Sequence, residues 1–157
     1  MDYDRVEILA KKLLHPRMEI RLRSASSILF KLESGIFDRR DIAQASFRCT
    51  LLDGVNKSIS IIISQQSTIE HIADATSETY QLVLLLLSIL RLATYQQQLS
   101  IPERRSSTND NASCTMILDH LYSMKAISGI DNKLNKMLDE VAHHMIAELR
   151  QLHYCRH

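Results

Sequence analysis

Glu140-Val-Ala-His143 is the spacing in this chain with the most direct chemical meaning. A glutamate and a histidine three residues apart on a helix share one face. Di-iron bundles hold their metals with two such pairs plus further inward glutamates. The sequence supplies no second pair, and Val141 and Met145 take the inward stripe, so the pair reads as surface. His153, Cys155 and His157 could grip zinc only with a fourth ligand and a closed geometry. Cys49 and Cys114 would be nucleophiles only beside a base in an exposed, electropositive setting. Cys49 falls on the apolar stripe of its helix, where a small inert hydrophobe is expected. Glycine-rich phosphate loops, a nucleophile elbow and an H-E-x-x-H helix are all absent from the sequence. The expectation is a non-enzyme with no cofactor and no metal. Arg104-Arg105-Ser106-Ser107 would suit a basophilic kinase, as a modification site only.

Charge gives a stronger surface feature. Arg17, Arg21, Ser24 and Lys31 fall opposite the apolar stripe of one helix, with Arg23, Arg39 and Arg40 nearby. The candidate partner-binding set is therefore Arg17, Arg21, Arg23, Lys31, Arg39 and Arg40, a shallow basic groove for an acidic segment. The competing reading is a solvated helix partly neutralised by Glu19 and Glu33. A second candidate is the stripe Leu134, Leu138, Val141, Met145, Leu149 and Leu152 on the last helix. Left partly uncovered, it would favour a following repeat or self-association.

These residues must be positioned by helices. The chain has 157 residues, enough for one domain, 1–157, with a real core. Three glycines and two prolines, against about 12% of residues in average usage, argue against sandwiches and barrels, which need many special turns. With 45% apolar residues, 5% aromatic and no Trp, the core is built from Leu, Ile, Ala, Val and Met. A formal charge of +1 supplies no field for nucleic acid or an anionic membrane. Three widely spaced cysteines do not make a disulfide framework, so a reducing compartment, the cytoplasm, is expected. No secretory leader opens the chain, and Leu82–Leu90, bracketed by Glu78 and Arg91, is too short for a membrane span.

Along the chain, Val6, Leu9, Ala10 and Leu13 make one amphipathic stripe, ended at His15-Pro16. A second helix is predicted over Arg17–Ser34 and a third from Asp38 to about Asp53, with Gly54 and Asn56 marking its end. Ser58–Ser64 alternates like a strand, yet a lone strand lacks a partner, so helix is the reading. Asp74 or Thr76 starts a long helix to about Gln98, followed by a polar loop over 101–113. The final pair spans about Cys114–Ser128 and Asp131–His153. Ser128-Gly-Ile-Asp131 echoes Ser34-Gly-Ile-Phe-Asp38, each with a glycine stop, an isoleucine to pack back and an aspartate cap. Used twice, the device predicts an all-α, armadillo/HEAT-like stack of antiparallel hairpins with about six helices.

The segment Glu19-Ile-Arg-Leu-Arg23 followed by Ser27-Ile-Leu-Phe-Lys31 resembles the N-terminal domain of the rotatin family. The likeness continues through Asp41-Ile42, the leucine-rich helix over Leu82–Tyr95, and Leu118-Asp-His-Leu121. The polar stretch Ile101–Ser113 and the isoleucine–serine run near Ile59–Ile63 depart from it. The resemblance implies an armadillo-like scaffold segment of the centriole and ciliary basal body, the N-terminal part of a longer protein, that supports centriole integrity and assembly. Its implied partners are other centriolar proteins, and it carries no catalytic residues. The alternative is a generic helical adaptor that homodimerises through its last helix.

Overall fold

A computed structural model describes residues 2–94 and 108–155, with side chains described over 6–65, 67–94 and 112–150. Among these residues there are eight α-helices and no strand. Six are long: α1 (Asp2–Lys12), α2 (Met18–Glu33), α4 (Ala45–Ser64), α6 (Glu78–Thr94), α7 (Thr108–Lys125) and α8 (Asn132–Cys155). Two are single turns, α3 (Arg39–Ala43) and α5 (Gln66–Ile69), the second continued by a 3-10 turn over Glu70–Ala73.

The packing resolves into two rows of three. In one row α1, α4 and α7 lie side by side; in the other, α2, α6 and α8. Across the rows α1 meets α2, α4 meets α6 and α7 meets α8, so three helix pairs stack one on the next. The apolar residues of every pair join one core that includes Leu13, Ile28, Phe47, Leu86, Leu121 and Val141. The first and last pairs are tight hairpins. The middle pair is joined by the longer segment 65–77, which pins Ile72 into the core.

Local chemistry accounts for most boundaries. Gly35 and Gly129 adopt φ of +82° and +89°, the left-handed stop of which glycine alone is readily capable. Asp38 accepts from the backbone N–H of Arg40 and Asp41, and Asp41 returns a bond to the Asp38 N–H, a reciprocal capping box. Asp131 accepts from the Leu134 N–H at 2.9 Å and so caps α8. In the first device Ile36 stays 41% exposed, and Phe37 packs back instead, its N–H bonded to the Lys31 carbonyl.

Several expected boundaries move. The helix expected over 38–53 breaks at Gln44, whose extended backbone (ψ 129°) separates α3 from α4. Around that break Ile42 turns inward, and Phe37 meets Phe47 edge-to-face with centroids 5.0 Å apart. Gly54 and Asn56 do not end α4, which runs on to Ser64 and absorbs the isoleucine–serine run as helix. Gly54 serves a close approach: a methyl placed there would sit 2.9 Å from the Ala10 Cβ of α1. Asp74 and Thr76 form a turn of their own, and Ser77 caps α6 by accepting from the Tyr80 N–H. The expected polar loop over 101–113 is helical from Thr108. Its remainder, the expected helix end at 95–98, Arg104 to Ser107 and His157 lie outside the described residues, as do the side chains of Leu152, His153 and Cys155.

Candidate interaction surface

α2 and its N-cap Arg17 carry four of the six expected basic residues, and they do not form one patch. The helix is flanked by both α1 and α6, so two of its sides are covered. Arg21 and Ser24, expected on the open side, are 6% and 3% exposed, which removes Arg21 from any partner-binding surface. Ser24 Oγ donates to the Leu9 carbonyl at 2.6 Å and locks α2 onto α1. Arg21 keeps Nε and Nη1 buried with no partner among the described residues, and that burial lowers its pKa. Arg17 and Arg23 are exposed and both reach Glu19, at 3.5 and 2.9 Å. Lys31 is half-buried about 21 Å along the helix from Arg17 and about 12 Å from Arg23, at 1.5 Å per residue, and Arg39 and Arg40 are exposed at the start of α3. Within Glu19–Lys31, Arg21, Ser24, Ala25 and Ile28 are buried, so this stretch of α2 serves packing on both sides.

The last helix also turns its stripe inward. Leu134, Leu138, Val141 and Met145 are fully buried against the neighbouring helices, and Leu149 is partly buried. His143 is exposed, whereas His144 is half-buried and its Nδ1 lies 3.2 Å from Thr94 Oγ1. Burial lowers the His144 pKa against the opposing pull of Glu140. Arg91 and Glu140 pair at 3.6 Å between α6 and α8, and the buried Arg48 and Glu148 pair between α4 and α8. These contacts hold helices together rather than converging on an open site. Among the described residues no group of three or more His, Cys, Asp or Glu could hold a metal ion. Among them, too, no helix is long and apolar enough to cross a membrane.

Two grooves among the described residues lie on the other row. Between α1 and α4 runs a groove of about 320 Å³, with Glu7 and Lys11 on one wall and Gly54 at its floor. Between α4 and α7 lies a second, of about 470 Å³, bounded by Cys49, Asn56, Ser60, Ser113 and Met116. Thr50, Asp53 and Lys57 border both, so α4 forms a ridge with a groove on each side. Asp53 and Lys57 pair at 2.9 Å along that ridge and remain about half exposed. Cys49, expected to face the core, lines the second groove, while Cys114 is buried. Helical periodicity missed this face, because the polar residues that build it are scattered over α1, α4 and α7 and only tertiary packing brings them together.

No family model, curated protein or solved structure matches the chain. Its geometry is that of a two-row, all-helical stack of three pairs.

Proposed function

We propose that this chain is a non-enzymatic protein-interaction segment whose working part is the α1–α4–α7 face. The observation that carries the reading is the pair of neighbouring grooves on one row of the stack, separated by the Thr50–Asp53–Lys57 ridge. Stacked helix pairs present side chains from successive helices as a continuous surface, which suits recognition by shape and modest electrostatics. Glu7, Lys11, Asp53 and Lys57 give that surface both signs of charge, which favours register and specificity over bulk attraction.

The compartment in this proposal is the centriole and ciliary basal body, with other centriolar proteins as partners in supporting centriole integrity. It rests on the similarity of Glu19–Arg23 and Ser27–Lys31 to the rotatin family. A fluorescent fusion of the full-length parent in dividing, ciliated cells tests it. The proposal expects foci coincident with a centriole marker, and a diffuse parent rejects the compartment.

A further inference from the structure

Asn56 is 3% exposed, yet it borders the groove between α4 and α7. Its Oδ1 has no hydrogen-bond partner among the described residues. Among the described residues its Nδ2 reaches the Met116 sulfur, at 3.8 Å, and a thioether is a weak acceptor. A buried amide left in this state costs stability, because it has lost water on both its donor and acceptor sides. The cover over it is Met116, 48% exposed, an unbranched side chain able to swing aside at little cost. What the amide lacks is one donor and one acceptor spaced to face it, the pair a peptide unit offers.

We infer that Asn56 is the recognition element of this groove, and that its ligand is an extended peptide segment of a partner protein. The segment displaces Met116 and exchanges a backbone N–H and C=O with the Asn56 amide. Ser60 and Ser113 offer neutral hydroxyls along the same walls. Among the described residues the charged groups at the rim are the mutually paired Asp53 and Lys57, so the groove favours an uncharged backbone over a phosphate or a carboxylate. This inference rests on the interaction reading above and specifies where and how the partner is held.

The probe is a displayed library of random twelve-residue peptides selected on the intact chain carrying Cys155→Ser. Selected peptides are expected to lose roughly tenfold in affinity on Asn56→Leu, the worth of one or two hydrogen bonds. They are also expected to slow maleimide alkylation of Cys49, which lines the same groove. Asn56→Leu itself is expected to melt no lower than wild type, since it removes an unmatched amide. If that variant fails to fold, Cys49 protection on the unsubstituted groove still decides. Peptides that bind but ignore Asn56→Leu and leave Cys49 equally reactive overturn the inference while leaving an interaction role standing. A library that yields no binder overturns it as well, and the interaction role is then judged separately by the parent's localisation and co-purifying proteins.

Discussion

Arg48 on α4 and Glu148 on α8 form an ion pair with side chains only 7% and 1% exposed, joining the second and third helix pairs across 100 residues of sequence. Such a pair repays the desolvation of its members only while both are present. Arg48→Met or Glu148→Leu alone is expected to cost about 3–5 kcal/mol, by leaving the other charge buried. The double variant is expected to recover most of that loss, because two apolar side chains fill the site without a charge. Urea denaturation of the three variants measures the coupling. Additive losses would show that the two residues act independently.

Arg21 stands in the opposite situation, a guanidinium buried with Nε and Nη1 unmatched. Its stem packs between helices while Nε and Nη1 find no partner among the described residues, so charge is a cost here. Arg21→Met is expected to stabilise the fold by about 1–3 kcal/mol, the penalty of a buried unmatched donor. Arg21→Glu should destabilise it, since it buries a carboxylate at the same place. Thermal melts of both variants distinguish this from a surface residue, for which neither change would register.

Tyr80 donates its hydroxyl to Asp131 at 2.6 Å, tying α6 to the start of α8. Burial, and then this bond, push the Tyr80 pKa from 10.0 up to about 12, and the bond from Tyr80, with one from the Leu134 N–H, lowers that of Asp131. The raised tyrosine favours the folded state fully below pH 10.0 and loses that advantage as pH rises through about 12. Tyr80→Phe is therefore expected to flatten the alkaline limb of melting temperature against pH. The lowered carboxylate acts at the other end, its contribution present above pH 3.8 and lost as pH falls below it. A Tyr80→Phe profile that parallels wild type from pH 9 to 12 would contradict the assignment.

His120 and His144 are both half-buried, and burial lowers both pKa values below 6.5. Neutral imidazole is then favoured in the fold, a contribution fully present above pH 6.5 and lost as pH falls through the lowered values. Melting temperature is expected to fall on acidification below 6.5, and to fall less in a His120→Phe, His144→Phe variant.

The helices were legible where a local device sets them. Gly35, Gly129, Asp38 and Asp131 announce stops and starts that depend only on backbone geometry and a nearby carboxylate. The apolar runs likewise indicated stacked hairpins. What local sequence did not carry was tertiary. Gly54 looks like a terminator until Ala10 of another helix is seen against it, and Gln44 gives no sign of the break it makes. Arg21 and Ser24 look solvated because a single apolar stripe implies a single buried side, whereas α2 is covered by α1 and α6 together. The grooves needed the packed helices, since the walls of one come from residues up to 67 positions apart, Cys49 on α4 to Met116 on α7.

The α1–α4–α7 face is the part of the molecule on which the functional account stands. Quantitative affinity purification from ciliated cells, comparing the protein with two variants, tests it most directly. Thr50→Arg with Asp53→Arg obstructs both grooves, whereas Phe30→Arg alters an exposed position on the other row. With both variants melting near wild type, the account predicts that a specific set of co-purifying proteins is lost with the groove variant and retained with Phe30→Arg. Retention of the same set by the groove variant would contradict it.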